Sequence, residues 1–150
     1  MDKLDNIIFY NLEKTIKSYR QFAQANCLKA GVEITIDQWL VLKTIGEYPD
    51  ITQHQLAGRI FKDVASVTRM IELLVTKDLL YRKSHAEDRR RFTLTLSDEG
   101  RKVLELMRPI SLSNRRQALE GVTETELQTV QQVLQKILHN VSKEVDEKSV

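Results

Sequence analysis

The residues of this chain that could do chemistry are basic and hydroxyl side chains gathered between positions 58 and 91. This segment holds nine lysines and arginines against five acidic residues, whereas the 150-residue chain has a net charge of only +2. Its last residues are Asp88 followed by three consecutive arginines, Arg89, Arg90 and Arg91. A localised positive patch on a nearly neutral chain favours a polyanionic partner. A solvated charged face without any partner is the alternative that charge alone leaves open.

The sequence offers little for catalysis or for holding a metal or cofactor. The three histidines are scattered, without the helical His-x-x-x-His spacing of a zinc site. No Ser/His/Asp, Cys/His or phosphate-cradling glycine arrangement stands out. We therefore expect no enzyme, no metal site and no cofactor.

Cysteine usage and hydropathy bear on the cellular compartment. The single cysteine, Cys27, excludes an intramolecular disulfide, and no apolar run approaches the roughly 18 residues of a membrane span. The first residues lack the apolar stretch and the small-residue cleavage site of a signal peptide. We expect a cytoplasmic protein without a membrane association.

Two short helices are predicted to position the hydroxyl and basic groups. Residues 52–60 form about two and a half turns, and Asp63 can cap the next helix after a very tight connection. Short helices joined in this way cross at a large angle, as in a helix-turn-helix. On the second helix the periodicity places an apolar stripe inward (Val64, Val67, Ile71, Leu74) and Ala65, Arg69 and Glu72 opposite, flanked by Ser66.

The outward face of this second helix has the composition of a major-groove reader. Small residues permit close approach to a groove, and Ser66 and Thr68 can contact phosphates or base edges. The guanidinium fork of Arg69 matches guanine O6 and N7. Taken alone, a serine or threonine near a helix start is more often solvated or capping than reading bases.

A β-hairpin is predicted to follow this helix. Residues 79–83 have strand character, and residues 92–96 alternate apolar and hydroxyl side chains with period two. The intervening loop is longer than a tight turn needs, and its arginines can enter a narrow minor groove. We expect Asp88 to orient one of them through a bidentate ion pair.

Helices fill the rest of the chain. Apolar periodicity predicts a long helix from Leu4 to about Lys29, closed near Gly31, and a final helix after Gly121. Capping boxes at Thr35/Gln38, Thr52/Gln55 and Thr123/Glu126 mark three helix starts. Ser97 is expected to cap a further helix that Pro109 kinks or interrupts.

The terminal helices carry more apolar surface than a small winged domain needs for its own core. An excess of this size predicts a dimer interface. A helical-bundle core inside one chain is the competing interpretation.

The order of these elements resembles the MarR family of winged-helix transcription regulators over nearly the whole chain. The motifs that carry the resemblance are residues 35–42 (TIDQWLVL), 52–57 (TQHQLA), 65–69 (ASVTR), 77–80 (KDLL), 87–90 (EDRR) and 94–100 (LTLSDEG). It implies a mainly α fold with a small β-hairpin wing, forming one domain over residues 1–150. Residues 35–96 would be the winged helix-turn-helix, and residues 1–34 and 97–150 the dimerisation helices.

The resemblance also implies a function and the residues that perform it. The protein would be a bacterial homodimer that binds a pseudo-palindromic DNA operator, as a repressor relieved by a small molecule or an oxidant. Ala65, Ser66, Thr68 and Arg69 match the family's major-groove helix, Asp88 and Arg90 match its wing, and Arg89 and Arg91 would contact phosphates. Val64 departs from the small polar residue that many relatives have near the helix start, so the target sequence does not transfer.

The regulatory input is open at this stage. Tyr10, Tyr19, Arg20 and Trp39 lie on helices that resemble the walls of the family's effector crevice, where an arginine beside aromatic rings would suit a small aromatic anion. Trp39 is also a natural core residue. Cys27 raises the alternative of thiol-based redox sensing, opposed by its place near a helix C-terminus, where the dipole disfavours a thiolate. A third alternative is a winged-helix dimer acting as a protein-interaction or anti-repressor module.

Overall fold

The computed structural model describes residues 2–84, 87 and 92–148, with side chains to residue 142. Six α-helices and one two-stranded antiparallel hairpin follow one another within these residues: α1 Ile8–Lys29, α2 Ile36–Glu47, α3 Gln53–Ile60, α4 Val64–Thr76, β1 Leu80–Ser84, β2 Phe92–Leu96, α5 Asp98–Ala118 and α6 Glu124–Lys148. The fold is thus mainly helical with a small β-hairpin, which confirms the predicted class.

Local chemistry at the helix starts accounts for much of this order. Each predicted capping box is present, with the threonine Oγ1 accepting the backbone N–H three residues on at 3.1 Å and the Gln or Glu Oε1 accepting the threonine N–H at 3.1 Å. These bonds satisfy backbone donors that a helix start leaves without partners. Ser97 caps α5 as predicted, its Oγ accepting the Gly100 N–H at 2.9 Å.

The N-terminal helix begins later than its apolar pattern predicts. Leu4–Asn6 is a separate 3-10 turn, and Ile7 is extended (φ −84°, ψ 117°) before α1 starts at Ile8. The side-chain amide of Asn11 donates to the Asp5 carbonyl oxygen at 2.9 Å, which stabilises this break. Apolar spacing alone does not record such a side-chain bond to the backbone.

The core lies among α1, α2, α3, α4, the hairpin and the first half of α5. Its fully buried side chains include Val41, Leu42, Leu56, Val67, Ile71, Leu74, Leu80 and Met107. Cys27 lies in the same cluster, and its thiol donates to Met107 Sδ at 3.7 Å. Trp39 packs against this core while remaining partly exposed.

The predicted inward position of Val64 is wrong, and the interruption that was one of the two outcomes predicted at Pro109 is absent. Val64 is 42% exposed, although helical periodicity places it on the apolar side of α4. Periodicity gives the direction of a side chain but not how far the neighbouring elements extend along the helix. The buried stripe therefore begins one turn later, at Val67. Pro109 does not interrupt α5, which runs through it. The adjacent Met107 and Ile110 pack against the core, and this packing offsets the lost hydrogen bond to the Glu105 carbonyl.

The chain divides into two compact units, Met1–Arg115 and Arg116–Val150. The second unit contains the end of α5, a turn at Gly121 (φ +79°) and α6. Apolar side chains along α6 are exposed: Val130, Val133, Leu134, Leu138 and Val141. Within the described part of the chain, no helix is both long and apolar enough to cross a membrane.

Candidate nucleic-acid interface

The helix pair α3–α4 is joined by a sharp turn. Phe61 ends α3 in the left-handed conformation (φ 61°, ψ 39°), and the Lys62 N–H donates to the Ala57 carbonyl oxygen at 3.1 Å. Asp63 then starts α4, so only three residues separate the two helices. Leu56, Ala57 and Ile60 from α3 lie buried in the core together with Val67 and Ile71 from α4. This packing fixes the opposite face of α4 toward solvent.

The exposed start of α4 carries a continuous chain of hydrogen bonds. Asp63 Oδ1 accepts the Ser66 backbone N–H at 2.7 Å, and Asp63 Oδ2 accepts the Ser66 hydroxyl at 3.0 Å. Ser66 Oγ in turn accepts from Arg69 Nη2 at 3.2 Å. The bonds from Ser66, its backbone N–H first, hold the pKa of the Asp63 carboxyl below its ordinary value. Asp63 is therefore ionised at neutral pH.

The four predicted major-groove residues occupy different positions on this helix. Ala65 and Arg69 are exposed, and Ser66 is half-buried beside Asp63. Thr68 Oγ1 lies 2.9 Å from the Val64 carbonyl oxygen and 3.5 Å from Gln53 Oε1 of α3. Its single proton is used within the protein, so an outward contact from Thr68 would use an oxygen lone pair or its methyl group.

The hairpin is held firmly at its base. β1 and β2 pair in register from Leu80–Leu96 to Ser84–Phe92, and Leu80 and Leu94 are buried. Ser97 ties the hairpin to α5, because its N–H donates to the Leu79 carbonyl oxygen at 3.1 Å and its hydroxyl donates to the Asp78 carbonyl oxygen at 2.6 Å. The predicted wing residues Asp88, Arg89, Arg90 and Arg91 lie outside the residues that the structure describes.

An ion-pair bridge connects α1 to the turn before α4. Asp37, near the start of α2, pairs through Oδ1 with Arg20 of α1 and through Oδ2 with Lys62 Nζ at 3.5 Å. These side chains are partly exposed, so the bridge contributes modestly to stability. Its geometric effect is to link the first long helix to the residue that precedes the Asp63 cap.

A cavity of about 620 Å³ opens between α1, α2 and α5. Tyr19, Ile36, Trp39 and Leu112 supply apolar and aromatic walls, and Lys43, Arg108 and Arg115 supply positive charge, with Glu105 opposing it. Ser111 and Asn114 add hydrogen-bonding groups to the lining. The volume falls within the range of small-molecule sites, and the lining combines aromatic with cationic groups.

The structure separates the four residues predicted to form an effector site. Tyr19 and Trp39 line this cavity. Arg20 is engaged with Asp37, and Tyr10 lines a shallow groove on α1 with Glu13 and Lys14. The cations of the cavity come instead from α2 and α5.

Cys27 is fully buried, and its thiol donates a hydrogen bond to the thioether of Met107. Burial raises the pKa of this thiol, which disfavours the reactive thiolate. The sequence-based preference for an unreactive thiol agrees with this environment.

Comparison with known proteins places the fold in a family. The MarR family model matches residues 34–92, from just before α2 to the start of β2. A protein of unknown function from Listeria innocua is 30% identical to this chain, over 89% of this chain and 91% of that one, with a TM-score of 0.67. The chain belongs to the MarR family. A probable transcriptional regulator from Pseudomonas aeruginosa is 28% identical to this MarR-family protein, over 90% and 99% of the two chains, with a TM-score of 0.75.

A more distant relative shares the fold of this MarR-family protein closely. BpsR from Bordetella bronchiseptica is 20% identical, over 91% of this chain and 96% of that one, with a TM-score of 0.82. This likeness shows that the two proteins share a fold.

Sequence reasoning missed two sets of residues in this MarR-family protein. The spacing of Asp63 and Ser66 predicts a helix cap, but it does not show that the serine hydroxyl also bonds the aspartate. Arg108 and Arg115 recur at helical spacing on α5, a signal that they share a face. Only the packing of α5 beside α1 and α2 brings that face to Tyr19 and Trp39.

Proposed function

We propose that this MarR-family protein is a homodimeric, sequence-specific repressor that binds double-stranded operator DNA and is released by a small aromatic anion. The observation that carries the proposal is the exposed start of α4, where Ser66 and Arg69 are held in place by hydrogen bonds on a helix anchored by its buried face. Preoriented donors and acceptors on a protruding helix fit the edges of bases in a major groove.

Exposed apolar residues support the dimer. Leu4, Ile8, Phe9 and Ile16 are each more than half exposed near the N-terminus, and α6 carries its own exposed apolar stripe. Surfaces of this kind are normally buried against another chain. In the proposal residues 1–34 and 97–150 form the dimer and residues 35–96 read DNA, so a two-fold axis requires an inverted repeat with half-sites about 34 Å apart.

The basic segment supports a nucleic acid over a purely apolar protein partner. Arg69 is exposed on α4, and Arg82 and Lys83 are exposed on β1. The sequence adds Arg89, Arg90 and Arg91 between the two strands. In the proposal Arg90 enters the minor groove, oriented by Asp88, and Arg89 and Arg91 contact phosphates.

The cavity supports regulation by an aromatic anion. Aromatic rings of Tyr19 and Trp39 lie in the same lining as the guanidinium groups of Arg108 and Arg115, an arrangement suited to an aromatic carboxylate. In the distant relative BpsR, DNA binding is regulated by 6-hydroxynicotinic acid, which is an aromatic carboxylic acid. In the proposal a ligand acts by binding more tightly to the conformation whose two α4 helices do not match the operator.

A mobility-shift assay with duplex DNA selected by the purified protein tests this function. We expect Arg69→Ala and Arg90→Ala to lose tight binding while the dimer stays folded. Lys17→Ala is the matched control, because it removes one exposed positive charge on α1, where Lys17 pairs with Glu13 at 3.0 Å. Wild-type affinity for the Arg90→Ala dimer would refute the wing's role, and wild-type affinity for the Arg69→Ala dimer would refute DNA reading by α4.

A further inference from the structure

The hydroxyl of Ser66 lies at the centre of the hydrogen-bond chain on the exposed start of α4. It contacts Asp63 Oδ2 at 3.0 Å and Arg69 Nη2 at 3.2 Å, so two of its three hydrogen-bonding positions are occupied. The third position is one oxygen lone pair. What Ser66 can recognise depends on which partner holds its only proton.

The proton of Ser66 must point to Asp63. Arg69 is a guanidinium, which donates and never accepts. Asp63 is ionised, since its pKa lies below its ordinary value, and an ionised carboxylate only accepts. The hydroxyl therefore donates to Asp63, and Ser66 faces outward as a hydrogen-bond acceptor.

We infer that Asp63 is a positioning residue that determines base specificity, making Ser66 select an exocyclic amino group on adenine or cytosine. This inference rests on the proposed DNA-binding function and adds the polarity of one contact to it. In the major groove, adenine N6 and cytosine N4 donate hydrogen bonds, whereas guanine O6 and N7, thymine O4 and adenine N7 accept them. An acceptor at Ser66 matches the first group and leaves the second without a partner.

The same polarity directs Ser66 to a base and not to the DNA backbone. Phosphate oxygens only accept hydrogen bonds, and the Asp63 carboxylate would repel a phosphate placed beside Ser66. Arg69 keeps four of its five N–H donors after bonding Ser66, enough for a bidentate contact with guanine. The start of α4 thus presents an acceptor and a donor fork in a fixed order along the helix.

Asp63→Asn is the decisive variant, because it preserves the shape and reverses the polarity. Asparagine caps helices as well as aspartate, so its Oδ1 can keep the Ser66 N–H bond and α4 should start unchanged. Its Nδ2 would replace Oδ2 and donate to Ser66 Oγ. Ser66 would then be left as a donor, which guanine, thymine and adenine N7 can accept but cytosine cannot.

The experiment compares the duplexes that wild type, Asp63→Asn and Ser66→Ala enrich from a random pool, with full-length protein. At one position in each half-site we expect wild type to favour adenine or cytosine about five- to tenfold. Asp63→Asn should admit guanine and thymine there and disfavour cytosine, and Ser66→Ala should show no preference there while the rest of the repeat is unchanged. Glu126→Gln is the matched control, since Glu126 forms the cap of α6 with Thr123, far along the chain from α4.

The outcomes separate this inference from the proposed function. If wild type enriches no sequence, the DNA-reading proposal itself fails. If wild type enriches an inverted repeat and Asp63→Asn enriches the same repeat with only a uniform change in affinity, Asp63 acts as a cap or a charge and the inference is overturned. Thermal unfolding of each variant checks that α4 is intact, and an Asp63→Asn protein that unfolds early is replaced by Asp63→Ser, which caps without a carboxylate and should erase the preference.

Discussion

Replacing Gly100 with alanine should destabilise this protein strongly, because α5 passes unusually close to the base of the wing. A Cβ atom at position 100 would lie 2.2 Å from the Leu79 carbonyl oxygen. That oxygen cannot rotate away as a side chain could, and it also accepts the Ser97 N–H at 3.1 Å. The added methyl group must therefore push α5 and the start of β1 apart by about 1 Å.

The size of the effect follows from the bonds that such a shift strains. Overpacking against a backbone atom costs about 1–3 kcal/mol, and losing the Ser97–Leu79 bond costs about 1 kcal/mol. Alanine recovers up to about 1 kcal/mol, because glycine is a poor helix residue. We expect a net loss of about 1–4 kcal/mol in the free energy of unfolding, or roughly 2–15 °C in Tm.

Gly58 provides a matched control for this substitution. It lies inside α3, and a Cβ atom there would meet nothing within 4 Å. Gly58→Ala should therefore raise the stability by about 0.5–1 kcal/mol. Calorimetric or circular-dichroism melts of the two variants decide the matter, and equal shifts of Tm in the same direction would refute the close-contact reasoning.

Two further predictions concern the cavity and the thiol. Trp39, the only tryptophan, should report the binding of benzoate through its fluorescence. The Arg108→Ala/Arg115→Ala double variant should bind benzoate at least about tenfold more weakly than wild type, while Lys17→Ala binds it normally. Equal affinity of wild type and both variants would refute the role of the cavity's arginines. Because burial raises the pKa of the Cys27 thiol, iodoacetamide should modify it only after denaturation. Mild peroxide should leave DNA binding unchanged in wild type, as in Cys27→Ala. Rapid alkylation of the native protein would favour redox sensing through Cys27.

Helix starts and the hairpin were predictable because their signals are local. Thr35, Thr52 and Thr123 each carry the Gln or Glu three residues on that completes a capping box, and the alternation in residues 92–96 marks a strand. The burial of Val67, Ile71 and Leu74 follows from helical period in the same way.

The remaining features depend on contacts between distant parts of the chain. Val64 continues the apolar stripe in sequence, yet the core does not reach its turn of the helix. A proline breaks an isolated helix, but here the residues near Pro109 are held by packing against the core, and α5 continues. The bridge at Asp37 and the cations of the cavity likewise require α1, α2 and α5 to be assembled, which no single-helix pattern reports.

The most direct test of the central claim is the sequence that the purified wild-type dimer enriches from a random pool of duplex DNA. We expect an inverted repeat whose half-sites are centred about 10 base pairs apart, with a guanine contacted by Arg69 in each half. Binding to that repeat should weaken as salt rises, by a slope of about −0.9 in log K against log salt for each neutralised phosphate. Enrichment of no sequence, or of a single site without two-fold symmetry, would show that the protein does not read operator DNA as a symmetric dimer.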